Sequence, residues 1–199
     1  MKRLIERLKK TEHGFKHILE TGDSLLSDKS LNHLEIAKKL LTEESYQARM
    51  LATYILGEHS TDKKALKLLT TEIVKDENWR VQEMLAKAID RHCKTIGYEN
   101  ALPELKQWLR GKNSNLKRAV IEGLRIWTAR PYFKENPEIA ISLISEHRSD
   151  NSEYLRKSVG NALRDIKRKF PDLIQKEISS WDLEDSKIKF TQKLIVKGL

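Results

Sequence analysis

The chain has 199 residues, 39% of them hydrophobic and 34% charged, with a net charge of +9 and a pI near 9.5. This composition is typical of a soluble, helix-rich protein, and it excludes a membrane-spanning one because no run approaches the ~18 consecutive apolar residues of a spanning helix. A lone cysteine, Cys93, excludes an internal disulfide framework. The positive charge favours a polyanionic partner, nucleic acid before an anionic membrane surface.

The N-terminal stretch, residues 1–10, is amphipathic and has no apolar core of the kind that a secretory signal needs. Together with the single cysteine, which suits a reducing compartment, this predicts a cytoplasmic protein. Apolar residues then recur at helical spacing, first over Leu31–Leu41 and next over Leu66–Val74. No segment alternates long enough to predict a strand, and about ten to twelve helices joined by short turns account for the chain. The predicted fold class is therefore all-α.

Four helical segments can be superimposed on one another, beginning at Arg49, Glu83, Arg118 and Lys157, that is 34, 35 and 39 residues apart. Each is followed by a second amphipathic segment; these are Lys63–Val74, Ala101–Leu109, Pro137–Ser145 and Asp172–Ser179. Helix pairs at this period predict a HEAT-like α-solenoid, a curved superhelix of antiparallel helix pairs in one domain over residues 1–199. The tetratricopeptide pattern is absent, and a generic helical bundle is the alternative.

The first position of each repeated segment holds Arg49, Glu83, Arg118 or Lys157, three cations and one acid. The structural interpretation is an ordinary intramolecular ion-pair position. The functional interpretation is a carboxylate placed where a cationic substrate group could sit. Trp79 lies one helical turn before Glu83 and points the same way, so that ring and carboxylate could cradle a planar cation. Trp79 could equally be a core residue.

Basic residues are concentrated between Lys117 and Lys169, where they could form a phosphate-binding stripe. The members singled out as DNA-binding candidates are Arg118, Arg125, Arg130, Arg156 and Lys157. Trp127 follows Arg125 closely and could stack on a base, or could be core. His13 and His17 lie one turn apart, but no third metal ligand accompanies them, so no metal site is predicted.

At these residues the sequence resembles the DNA alkylation repair family of HEAT-like DNA glycosylases, in its AlkD-like and AlkC-like branches. The resemblance covers roughly residues 10–195 and is carried by Asn78–Glu83, Leu116–Ala119, Glu122–Trp127, Arg130–Pro131 and, most specifically, Ser152–Asp165. It implies a solenoid that holds double-stranded DNA in its concave face. It also implies excision of a cationic N3- or N7-alkylpurine without a cofactor.

The resemblance also implies roles for individual residues. Glu83 falls at the catalytic aspartate of the AlkD-like pattern and matches the glutamate of the AlkC-like pattern better. Asp165 falls near a second acid of the AlkC-like pattern. Trp79 matches the aromatic residue beside the catalytic acid, and Arg118 matches a phosphate-contacting arginine. Asn161 departs from the AlkD-like pattern, which has a second tryptophan there.

These observations leave three hypotheses. The first is a monomeric glycosylase that uses Glu83 and Asp165 and contacts DNA through Trp79, Asn161 and the basic residues named above. The second is a DNA-binding member of the same fold without excision activity. The third is a HEAT-type protein-interaction scaffold, against which the net charge of +9 argues modestly.

Overall fold

The computed structural model of the chain describes residues 2–127 and 130–197, except for the side chains of residues 126 and 127. That part contains thirteen α-helices and one short 3₁₀ turn and has no strand, which confirms the all-α prediction. The chain divides into two compact units, Met1–Ile96 and Gly97–Leu199. Each unit is described separately, and one domain over residues 1–199 stays a prediction.

The first unit is organised around one buried helix. Its helices are α1 (Lys2–Lys9), α2 (Lys16–Ser27), α3 (His33–Leu41), α4 (Tyr46–Glu58), α5 (Lys63–Thr71) and α6 (Trp79–Ile96), with the 3₁₀ turn at Ile73–Lys75. All the other helices of the unit contact α4, whose apolar side chains are almost fully buried. Gly57 allows α6 to approach closely, because a Cβ there would lie 2.8 Å from the Cβ of Ala88.

The second unit contains α7 (Tyr98–Arg110), α8 (Ser114–Trp127), α9 (Pro131–Glu135), α10 (Pro137–Ser145), α11 (Glu153–Lys167), α12 (Pro171–Ser179) and α13 (Ser186–Val196). Here α11 is central and packs on α8, α10, α12 and α13. Three of these helices begin with proline at the first turn, where the missing N–H costs nothing: α9, α10 and α12. Ser152 caps α11, since its side chain accepts from the N–H of Leu155.

The repeated segments predicted from the sequence fall within α4, α6, α8 and α11, and their predicted partners correspond to α5, α7, α10 and α12. The partner boundaries differ by a few residues. The predicted segment Lys63–Val74 is a helix only to Thr71, after which Ile73–Lys75 forms a 3₁₀ turn. The connection between α8 and α10 is not only a turn: it contains the five-residue helix α9, because Pro131 suits the first position of a helix.

An aspartate before a repeated helix recurs in both units and connects that helix to the preceding one. Asp76 accepts from the backbone N–H of Asn78 at 2.8 Å and pairs with Arg49 of the preceding repeated helix, Nε to Oδ2 at 2.5 Å. In the second unit, Asp150 accepts from the N–H of Ser152 at 2.9 Å and pairs with Lys117 at 3.1 Å. Each aspartate therefore ties the start of one repeated helix to the one before it.

Candidate functional site

The candidate acid Glu83 lies on α6, within the first unit. The helix begins at Trp79, and Asn78 caps its first turn because its Oδ1 accepts from the N–H of Arg80 at 3.0 Å. Trp79 is 53% exposed, so it is not a core residue. Glu83 follows one turn later and is half-buried. The structure thus presents an aromatic ring and a carboxylate at the same end of one helix, as the spacing predicts.

Arg80, which the sequence did not single out, is packed among aromatic rings beside Trp79. Its guanidinium carbon lies 4.5 Å from the centroid of the Trp79 ring and 5.2 Å from that of Tyr46. Its Nη2 donates to Nδ1 of His13 at 3.0 Å. One turn beyond Glu83, Lys87 lies over the ring of Phe15 at 5.6 Å. The cations on either side of Glu83 therefore both contact aromatic rings from other parts of the unit.

The second unit holds the other candidate acid, Asp165, in a charged network. Arg125 on α8 donates to Asp165 on α11 through Nε at 2.7 Å, and to Glu122 through Nη1 at 2.8 Å. Burial by itself would lower the pKa of Arg125, but the adjacent carboxylates of Glu122 and Asp165 outweigh it, so the pKa is raised. Arg168 adds a longer contact to Asp165, at 3.9 Å. Asp165 is therefore held between two guanidinium groups.

Two of the predicted phosphate contacts are buried arginines. Arg118 is 5% exposed; its guanidinium lies over the ring of Tyr154 at 4.6 Å and within 3.8 Å of Glu122. Arg156 is 9% exposed and donates through Nη1 to the carbonyl oxygens of Asp150 and Asn151, at 2.6 and 3.1 Å. Arg156 thus closes the turn before its own helix, and its contact with phosphate stays a prediction.

The remaining candidates occupy varied positions. Lys157 is exposed and pairs with Glu153, one turn earlier, at 2.8 Å. Arg49 pairs with Asp76. At these two of the four first positions of the repeated segments, the side chain therefore forms an ordinary intramolecular ion pair. Asn161 is half-buried on α11, and Arg130 is half-buried just before α9. Trp127 ends α8, but its side chain lies outside the described residues. The DNA-binding roles of these residues stay predictions.

The described part of the chain offers neither a metal site nor a membrane span. Within residues 2–127 and 130–197, no group of three or more His, Cys, Asp or Glu side chains is placed to hold a metal ion. His13, one member of the histidine pair noted in the sequence, is bonded to Arg80. No helix in the described part of the chain combines the length and apolarity needed to cross a membrane.

Comparison with solved structures shows strong similarity to AlkD2 from Streptococcus mutans, which is 47% identical with a TM-score of 0.92, over 100% of this chain and 98% of that one. AlkC from Pseudomonas fluorescens, an alkylpurine DNA glycosylase solved with DNA containing an abasic-site analogue, is 19% identical with a TM-score of 0.70. The match covers 91% of this chain and 51% of that one. At 19% identity, the similarity to AlkC shows only a shared fold. The two structural matches confirm the predicted HEAT-like helical repeat class.

Among curated proteins, the uncharacterized protein YhaZ of Bacillus subtilis is 32% identical over 90 residues. That match covers 43% of this chain and only 25% of the relative's length. The family model described as DNA alkylation repair enzyme matches residues 20–180, most of the chain. The family resemblance inferred from Asn78–Glu83 and Ser152–Asp165 is therefore confirmed, and the chain belongs to the DNA alkylation repair enzyme family.

Proposed function

We propose that the chain is a DNA glycosylase that binds double-stranded DNA and releases cationic N-alkylated bases, of the N3- or N7-alkylpurine type. The observation that carries this proposal is the exposed indole of Trp79 one turn before the carboxylate of Glu83 on α6. Membership of the alkylation repair family and the net charge of +9 support it. AlkC, which shares the fold, was solved on DNA.

The proposed reaction needs few catalytic groups from the protein. An alkylated purine already carries positive charge, so it leaves with the electron pair of the N-glycosidic bond as a neutral base. The sugar becomes oxocarbenium-like, and water adds its hydroxyl at C1′ while its remaining proton is lost to solvent or to a carboxylate. A fixed anion such as Glu83 stabilises the developing positive charge on the sugar. No step in this scheme requires a cofactor.

The other candidates take supporting roles in this proposal. Asp165 contributes a second negative charge, and its Oδ2 accepts a hydrogen bond from Nε of Arg125 at 2.7 Å. Exposed cations such as Lys157 would contact the phosphates of the DNA backbone. To do so, Lys157 would leave its ion pair with Glu153. Buried Arg118 and Arg156 would support the binding surface. We further propose that the protein acts as a cytoplasmic monomer.

The test is release of methylated purines from a methylated DNA duplex. We expect the wild type to release base and Glu83→Gln to lose about 100-fold in rate, the usual size of effect when a transition-state-stabilising group is removed. Glu77→Gln is the matched control. It makes the same charge change at an exposed position just before α6 and should keep full activity. Full activity in Glu83→Gln would overturn the proposal.

A second candidate is a family member that binds DNA without excising a base. Two observations favour it: Asp165 is already paired with Arg125 and Arg168, and Asn161 stands where the AlkD-like pattern has a tryptophan. This candidate predicts that neither the wild type nor Glu83→Gln releases a base. It also predicts that duplex binding weakens steeply with salt, because several phosphates are neutralised. Failure of the wild type to bind duplex DNA would contradict both candidates.

A further inference from the structure

A pocket of about 460 Å³ opens on the first unit between the N-terminal ends of α3 and α5, two helices that both pack on α4. Its lining comes from residues 30–34, His59, Asp62 and Ala65. One lining residue, Leu31, is 36% exposed, so solvent reaches an apolar side chain there. A single exposed leucine is ordinary on a protein surface, and the significance of the pocket therefore depends on its surroundings.

The polar groups at the two helix ends that form the pocket are already paired. Oδ1 of Asn32 accepts from a first-turn N–H of α3 at 3.2 Å, and Oδ1 of Asp62 accepts from a first-turn N–H of α5 at 2.6 Å. His33 is bonded through one ring nitrogen to two carbonyl oxygens and through the other to His59. Because both helix ends are capped by their own side chains, the pocket suits an apolar group better than an anion.

Lysines dominate the exposed surface of the two helices. Together α3 and α5 carry one acid, Glu35, and five lysines, all of them exposed: Lys38, Lys39, Lys63, Lys64 and Lys67. Lys38 pairs with Glu35 at 2.7 Å, and the other four lysines form no ion pair within the described residues. The pKa of Glu35 is lowered, first by the hydrogen bond and charge of Lys38 and then by the charges of Lys39 and Lys64. Lysines of both helices therefore lie close to one another.

We propose that the pocket and these five lysines, together the α3–α5 surface, bind an acidic peptide segment of a partner protein. A leucine or phenylalanine side chain of the segment enters the pocket, and neighbouring aspartate or glutamate side chains face the lysines. The apolar side chain anchors the complex, while the charges attract the segment and set its register. The inference goes beyond the proposed function and does not depend on it, because the α3–α5 surface contributes no residue to base release.

A protein segment fits this surface better than nucleic acid does. Phosphates need only cations, and they gain nothing from an apolar pocket that includes Leu31. A groove of about 380 Å³ between α7 and α10, in the second unit, provides a contrast. Its lining includes two cations and two acids: Lys106, Arg110, Glu138 and Glu146. An acidic segment would meet as many like charges as opposite ones in that groove, so charge selects the α3–α5 surface.

The test is binding of a short fluorescein-labelled peptide of aspartates, glutamates and two leucines to the full chain, measured by fluorescence anisotropy. We expect Lys39→Glu/Lys64→Glu to bind about tenfold more weakly than the wild type, because two attractions become repulsions. The matched control, Lys106→Glu/Arg110→Glu, makes the same change in net charge. It should stay within about twofold of the wild type, because it leaves the α3–α5 surface intact and salt screens the altered net charge.

A second peptide, with alanines in place of the leucines, tests the pocket. It should bind the wild type about tenfold more weakly, and Leu31→Ser should bind the two peptides more nearly equally. Equal binding of the two peptides by the wild type would overturn the proposal, as would equal losses in the two charge-reversal variants. Displacement of the peptide by a DNA duplex, with the duplex equally sensitive to Lys39→Glu/Lys64→Glu, would overturn it in favour of a nucleic-acid surface.

Discussion

The Nε of Arg125 lies 2.7 Å from Oδ2 of Asp165, and the two residues sit on different helices of the second unit, α8 and α11. The same guanidinium also bonds Glu122, one turn earlier on α8, at 2.8 Å. A single cation is thus shared by two carboxylates, and the arrangement fixes the position of an acid that the family resemblance singles out. Arg125 is more than a third exposed, so solvent screens these pairs.

We predict that Arg125 and Asp165 are energetically coupled, whereas Arg168 and Asp165 are not. A double-mutant cycle of Arg125→Met and Asp165→Asn, measured by urea unfolding, should give a coupling free energy of about 0.5–1 kcal/mol. The matched cycle with Arg168→Met should give a value near zero, because that contact is 3.9 Å long and the Arg168 side chain is 76% exposed. Equal coupling in the two cycles would contradict this prediction.

Much of the helical architecture could be predicted from the sequence, because each repeated helix buries one face and apolar spacing records that burial directly. The four segments beginning at Arg49, Glu83, Arg118 and Lys157 all fall within helices. The short helix α9 could not be predicted, since five residues carry too little periodicity to separate a helix from a turn. The roles of Asp76 and Asp150 also escaped detection, because their partners lie 27 and 33 residues away.

The candidate site was predicted less completely than the fold. One-turn spacing correctly placed Trp79 and Glu83 near each other on one helix. The position of Arg80 could not be found, because its contacts with Tyr46 and His13 join residues 34 and 67 positions apart along the chain, which spacing on one helix does not reveal. Basic character likewise could not distinguish exposed Lys157 from buried Arg156, since burial depends on how α11 packs against its neighbours.

Asp150 should make the free energy of unfolding depend on pH in acidic solution. Burial alone would raise the pKa of Asp150, but hydrogen bonds from Ser152 and Lys117 and the charges of Lys117 and His147 outweigh it, so the pKa is lowered. The stability that Asp150 contributes is therefore present above its ordinary pKa of about 3.9. It is lost as the pH falls through the lowered folded-state value. Asp150→Asn should reduce the free energy of unfolding at neutral pH and flatten its acid dependence, as measured by urea titration across that range. A parallel downward shift with unchanged acid dependence would contradict this.

Gly160 should be intolerant of a side chain although its backbone is ordinary helix. A Cβ there would lie 2.6 Å from the Cβ of Leu194 and 3.1 Å from the carbonyl oxygen of Thr191, so α13 would have to move. Gly160→Ala should therefore destabilise the protein by about 1–3 kcal/mol, the usual cost of overpacking. Gly14→Ala is the comparison. It meets no atom within 4 Å but has a φ of +91°, so its cost is strain, of order 1 kcal/mol.

A histidine pair in the first unit should make stability fall in mildly acidic solution. Nε2 of His33 lies 3.0 Å from the carbonyl oxygens of Leu25 and Asp28, which can only accept, so this nitrogen carries a hydrogen. Nδ1 of His33 lies 3.0 Å from Nε2 of His59, and a single hydrogen joins the two rings. A second proton on His59 would place a positive charge on a half-buried ring near the cation Lys29.

The direction of this effect follows from His59. Burial, then the nearby charges of His33 and Lys29, lower its pKa and outweigh Asp62 and Glu58, which raise it. The folded protein therefore binds fewer protons than the unfolded chain, and the stabilisation is full above the ordinary histidine pKa of about 6.5 and declines as the pH falls through it. Melting temperatures measured between about pH 7.5 and pH 5.5 should fall, and His59→Gln should fall less steeply. Because burial also lowers the pKa of His147, a smaller slope should persist in His59→Gln and be reduced again when His147→Gln is added. If His59→Gln lowers the melting temperature equally at every pH, the pair stabilises the fold without sensing acid.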